Sequence, residues 1–144
     1  MSKFLRRVAS AVGALGLAAA GILVSATPAA ASATCPYPYV CFYAGGRPSD
    51  AGSYITGKFK AFTSSFQTIS GTSSHPSYIQ TTRQDDIVYV RWLLPDGTPN
   101  LSCFDHTFPY VDILPGTLLA TWTVTGVMIV DNPSVCPWPL PPLV

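Results

Sequence analysis

The chain of 144 residues contains no glutamate, and past residue 33 it has only two lysines, Lys58 and Lys60. Both residue types favour helix surfaces, so their scarcity argues against a helical fold. Charge of either sign is scarce, at 10% of residues. No basic cluster gives nucleic acid its electrostatic footprint. No C-x-x-C occurs, and His75 and His106 are too few to help build a zinc site. No G-x-S-x-G elbow exposes a serine nucleophile, and Gly45-Gly46 lacks the following Lys-Ser/Thr of a phosphate-cradling loop. The residues therefore call for no catalytic centre, no metal and no cofactor. Long apolar runs are missing but for one at the start.

That run, Val8 to Val24, follows Lys3, Arg6 and Arg7 and ends at Pro28 and Ala31-Ser32-Ala33. A positive start, a soft apolar stretch and an A-x-A exit make residues 1–33 a cleaved signal peptide rather than an anchor. Residues around Arg6-Arg7 do not complete a twin-arginine motif, so the general secretory route is expected. The secreted chain would begin at Thr34 or Ser32, with no stable membrane anchor after cleavage.

What is left is 144 − 33 = 111 residues, enough for one domain. Its basic residues number 8 − 3 = 5 against seven aspartates, a net charge of 5 − 7 = −2. Pro, Thr, Ser, Tyr, Val and Phe dominate, which is strand and turn chemistry. Residues 34–136 read as a single secreted β domain, expected to be a monomer, and 137–144 as a Pro-rich tail that cannot be a central strand.

Four cysteines outside a cell read as two disulfides, with three connectivities open. We expect Cys35–Cys41, a tight loop stiffened by Pro36 and Pro38, and Cys103–Cys136, a long loop. Closing the latter contributes about 4 kcal/mol on a chain-entropy account.

Tyr37 to Tyr43 reads as a first strand, and Gly45 to Ser53 as a loop. Phe59, Phe62 and Phe66 suggest a strand with irregular ends. Ile87 to Leu94 alternates cleanly, with Val88, Val90, Trp92 and Leu94 on one face. Pro95-Asp96-Gly97-Thr98 turns the chain, and Leu101 to Phe104 returns as its partner. Leu118 to Thr125 alternates again, and Val127 to Val130 suits a central strand. A weak two-part symmetry is suggested by Cys41-Phe42-Tyr43 and Cys103-Phe104, each opening a half. Short strands between Gly/Pro/Asp turns predict an antiparallel sandwich or small barrel.

Several groupings invite a functional role. Asp85-Asp86 would be half of a hard-cation site, but neighbours in a strand face opposite ways, so a solvated strand start fits better. Asp105-His106 invites hydrolysis, yet both histidines sit in polar turn contexts. Asn100-Leu101-Ser102 matches a glycosylation acceptor that a bacterial-looking leader makes incidental. Most aromatic residues are assigned to the core, with Trp138 in the tail as an exception. Arg47-Pro48, in a Gly-bounded loop near the Cys35–Cys41 staple, has the character of an inhibitor loop.

The opening Cys35-Pro36-Tyr37-Pro38-Tyr39-Val40-Cys41-Phe42-Tyr43 and the stretch Arg83-Gln84-Asp85-Asp86-Ile87-Val88-Tyr89-Val90 resemble small secreted actinobacterial proteins grouped with the streptomycete metalloproteinase inhibitor family. That resemblance implies a βγ-crystallin-like Greek-key fold. The chain departs from the Greek-key aromatic-glycine pattern after Tyr43, where no aromatic follows until Tyr54. The hydroxyl ligands of calcium-binding members are missing after Asp85-Asp86 and after Asp131-Asn132, so no calcium site is implied. The expectation is an all-β, antiparallel Greek-key sandwich, βγ-crystallin-like, with two disulfides. Its expected role is a secreted non-enzymatic binding protein, a peptidase inhibitor acting by loop occlusion. The alternative is a cell-envelope or carbohydrate-binding structural module. The partner is accordingly an extracellular protease or a cell-wall component.

Overall fold

Strand β5, Asp86–Leu93, shows how the alternation of the sequence becomes a layer: Val88, Val90 and Trp92 all point into the core. A computed structural model of the chain describes residues 33–131 and 135–140. The expected leader through Ser32, Asn132 to Ser134 and the last four tail residues lie outside them.

Among the described residues eight strands form two antiparallel sheets, packed as a sandwich. The others are β1 (Val40–Ala44), β2 (Tyr54–Phe59), β3 (Gln67–Thr68), β4 (Tyr78–Thr81), β6 (Pro99–Phe104), β7 (Tyr110–Asp112) and β8 (Thr123–Asp131). The first sheet has the order β2-β1-β4-β7 and the second β3-β8-β5-β6. Of the first four strands, three build one sheet while β3 crosses to the other. Of the last four, three build the second sheet while β7 crosses back. The two-part symmetry is thus real, but it is not opened where the sequence suggested. β5 is the counterpart of β1, and Cys103-Phe104 lies on β6.

The core lies between the sheets. Val40, Phe42 and Ile79 come from one side, and Val88, Val90, Trp92, Phe104, Val124, Val127 and Ile129 from the other. Val124 and Val127 are an odd number of residues apart, and strict alternation would put them on opposite faces. The register of β8 against β5 shifts between Arg91 and Trp92, leaving Thr125 as an extra residue, so both valines face inward. The Trp92 indole N–H donates to Ser102 Oγ at 2.9 Å, so its burial leaves no orphaned donor.

Both expected bridges are present, Cys35–Cys41 and Cys103–Cys136. They place the domain in an oxidising, non-cytoplasmic compartment. No helix of the described residues is long and apolar enough to cross a membrane. The described tail residues form no strand, and Trp138 is 89% exposed.

The strand expected over Leu118–Thr125 is a 3-10 turn at Leu118–Thr121 followed by β8. Thr117 and Thr121 hydroxyls donate to the carbonyls three residues back, at 2.7 Å each, and so close turns. Val127 to Val130 does lie on an interior strand, β8, but that strand is nine residues long. The first strand starts later than expected, at Val40, because Pro36 to Tyr39 is a turn closed by Tyr39 N–H on Pro36 O at 3.0 Å. Phe59 ends β2, Phe62 makes one isolated bridge to Ile129, and Phe66 precedes β3, so the three phenylalanines do not share a strand.

Candidate functional site

The outer face of the first sheet gathers the polar and aromatic groups that the core does not use. On β1 it carries Cys41 and Tyr43, on β4 Tyr78 and Gln80, and on β7 Tyr110 and Asp112. Tyr43 and Tyr78 meet edge to face at 5.8 Å, and Tyr78 and Tyr110 stack at 5.6 Å with an interplanar angle of 18°. The three rings form a ladder across three strands. Tyr43 and Tyr78 are buried, which raises their phenols above the ordinary value; Asp112 adds to the effect on Tyr78. Both stay protonated at neutral pH, and Tyr43 donates to Gln80 Oε1 at 3.3 Å. Tyr110, at the end of the ladder, is 55% exposed.

Loop 45–53 leads from β1 to β2 beside this face. Gly45 has φ 83°, and a Cβ there would lie 2.8 Å from the Gly52 carbonyl oxygen. Only glycine allows that approach. The Gly46 N–H donates to Ser77 Oγ at 2.8 Å, and the Arg47 N–H to Asp50 Oδ2 at 2.7 Å. The Arg47 guanidinium reaches across to β7 and clasps Asp112 with both oxygens, Nε to Oδ1 at 2.9 Å and Nη2 to Oδ2 at 2.6 Å. Arg47 is therefore committed to its own domain. A cleft of about 510 Å³ lies between the loop and β7, bounded by Arg47, Asp50, Ser77, Asp112 and Leu114.

Two further clefts border the face. One of about 590 Å³ is lined by Gln80, Thr82, Arg83, Gln84, His106 and Pro109. The other, about 240 Å³, is lined by Thr34, Cys35, Pro48, Ser49 and Gln80. Gln80 belongs to both.

The paired aspartates do not act together, and they do not form a solvated strand start. Asp85 is exposed, whereas Asp86 is 4% exposed and accepts from Arg83 Nε at 2.6 Å. Arg83 is equally buried. Its Nη1 also donates to Pro38 O at 2.6 Å and to Lys60 O at 3.2 Å, and its plane lies 4.4 Å over the Phe62 ring. The Arg-x-x-Asp spacing thus builds a clamp that ties three chain segments together. Among the described residues no three His, Cys, Asp or Glu side chains converge as metal ligands would.

The histidines lie in different places, His75 at the end of the 3-10 turn Gly71–Ser74 and His106 after β6. His75 faces hydroxyls, Ser74 Oγ at 3.1 Å and Thr123 Oγ1 at 3.3 Å. The Ser74 proton goes to Gly71 O at 2.6 Å, not to the imidazole. His106 stands exposed at the rim of the larger cleft, while its neighbour Asp105 turns inward. Asp105 accepts from the Thr107 N–H at 2.8 Å, the Thr107 hydroxyl, the Phe108 N–H at 3.1 Å and the Cys136 N–H at 2.9 Å. Burial pushes its carboxyl up, but these four donors outweigh burial and bring it down to about 2. Asp105 therefore fastens the turn after β6 to the segment that carries the second disulfide.

The aromatic assignment divides. Phe42, Tyr43, Tyr89, Trp92 and Phe104 are buried as expected, whereas Tyr37, Tyr54, Phe108 and Tyr110 are exposed. The tyrosine ladder and Gln80 escaped the sequence reading. Tyr78-x-Gln80 and Tyr110-x-Asp112 do alternate, but over strands of four and three residues, too short for periodicity to register. Compared with protein families, curated proteins and solved structures, the chain matches none.

Proposed function

We propose that this chain is a secreted, non-enzymatic binding domain that acts as a monomer, and that it inhibits an extracellular peptidase by occluding it with loop 45–53. One observation carries the reading: the loop is ordered before any partner arrives. It is pinned by Gly46 to Ser77, by Arg47 to Asp50 and by the two-point Arg47–Asp112 clasp. A segment already held in one conformation loses little entropy on docking. The exposed stretch Ser49 to Gly52 then makes the contact, with Arg47 as its brace rather than as a side chain inserted into the peptidase.

The strand order supports the scaffold half of the reading. In each set of four strands the fourth lies beside the first, in keeping with a Greek key, and the third joins the other set's sheet. Titration of secreted metallo- and serine peptidases with the purified protein tests the proposal. Stoichiometric loss of peptidase activity is expected, weakened in Arg47→Ala. Full activity at excess protein with every peptidase sinks it.

A second reading, a carbohydrate-binding envelope module, is favoured by the exposed Tyr110 and its stacked backing.

A further inference from the structure

Resting on that second reading, we infer that the outer face of the first sheet binds a neutral polysaccharide, with Tyr110 as the stacking platform and Gln80 as the central hydrogen-bonding group. Tyr110 is braced from behind. Its ring lies nearly parallel to the buried Tyr78 ring, which holds its orientation and leaves the other side to solvent. A ring fixed in this way presents a flat apolar surface with little freedom left to lose. The C–H face of a pyranose is flat and apolar in the same sense.

Gln80 sits directly opposite Tyr110 in the register of β4 against β7, so the two side chains are neighbours on one face. The Tyr43 hydroxyl donates to the Gln80 amide oxygen, so the amide nitrogen and its two hydrogens are on the side away from that bond. An amide beside an aromatic ring is suited to the hydroxyls that fringe a sugar. Clefts of about 590 and about 240 Å³ meet at Gln80, so the depression continues on both sides of it. Taken together as one trough, two clefts that share a residue suit a linear chain of sugar units better than a single one.

Charge selects the ligand. Arg83 is the one permanently charged side chain of the larger cleft, and it is buried and spent on Asp86 and two carbonyls. Among the described residues the smaller cleft is lined by no charged side chain. Arg47 and Asp112, at the other end of β7, neutralise each other. The trough therefore offers amides and hydroxyls, with the His106 imidazole at its rim, and among the described residues no uncommitted permanently charged side chain to draw an acidic glycan or a phosphorylated ligand. The smaller cleft takes in Pro48 and Ser49 of loop 45–53, and the Arg47 clasp that braces them stays closed in both readings.

Depletion of the purified protein from solution by insoluble chitin, cellulose and starch tests the inference. Retention on at least one of the three is expected, unchanged by about 0.5 M salt, which screens charge attraction. Soluble oligomers of the retained polymer should release it. Tyr110→Ala should weaken retention roughly tenfold, Tyr110→Trp should preserve it, and Gln80→Leu should weaken it several-fold. Should Tyr110→Ala unfold, Gln84→Ala decides, since that exposed side chain supports no core and its loss should still weaken binding. Retention on none of the polymers, retention abolished by salt, or retention kept by folded Tyr110→Ala and Gln84→Ala each overturns the inference. A protein that inhibits a peptidase yet passes all three polymers loses the trough and keeps the occluding loop.

Discussion

Asp105 shows how one carboxylate can hold a chain end. Its ordinary value of 3.8 falls to about 2 in the folded protein, because four donors oppose the upward push of burial. A group lowered on folding contributes stability above its unfolded value and loses it as pH falls through the folded one. Unfolding free energy should therefore drop by about 2 kcal/mol between roughly pH 4 and pH 2 on account of this residue. Denaturant titrations across that range check it. Asp105→Asn should flatten that part of the profile and cost about 1–3 kcal/mol at neutral pH, because an amide nitrogen would then face an N–H. An unchanged acid limb in the variant would remove Asp105 from the account.

At the scale of elements, β2 depends on a residue with no side chain. A Cβ on Gly57 would stand 2.8 Å from Ser73 Oγ and 3.2 Å from the Phe59 ring. Ser73 is one of the two buried residues of the 3-10 turn Gly71–Ser74, which lies against the strand. Gly57→Ala should destabilise by about 1–3 kcal/mol, as forced overpacking does, with no change in the residues that bind. A melting curve like that of the parent would show that Ser73 gives way freely. The same glycine explains why β2 was hard to see in the sequence. Tyr54-Ile-Thr-Gly-Lys-Phe mixes a glycine and a lysine into an edge strand whose residues are half-exposed or exposed, so neither a run nor a clean alternation marks it. β5 was legible because it lies inside its sheet with one face wholly in the core. Leu118 to Thr125 misled for the opposite reason. Its alternation runs through a hydroxyl-closed turn, and periodicity carries no information about local hydrogen bonds to the backbone.

For the whole molecule, the sequence revealed the sulfur framework and the two-layer architecture, since cysteine count, turn residues and strand chemistry are written locally. It did not reveal the tyrosine ladder or the Arg83 clamp. Both join positions that only the strand order brings together: β1, β4 and β7 for the ladder, Pro38, Lys60 and Asp86 for the clamp. The Cys103–Cys136 bridge spans 33 residues. Its replacement by two alanines should cost about 4 kcal/mol on the loop-entropy account and shift the melting transition downward. A transition that stays in place would mean that Asp105 alone secures Cys136.

Neither sulfur bridge joins the first four strands to the last four: one lies wholly in each set. What binds the sets is the trade of β3 for β7, each completing a layer built mostly by the other, together with the shared core and the Arg83–Asp86 pair. Severing the backbone between Gln84 and Asp85 should therefore yield two pieces that are each incoherent alone but reassemble when mixed. A spectrum of the mixture equal to the sum of its parts would refute this. The same interlock would let two copies of a half-length polypeptide embrace as twins, so the present chain has the shape of a dimer tied into one thread.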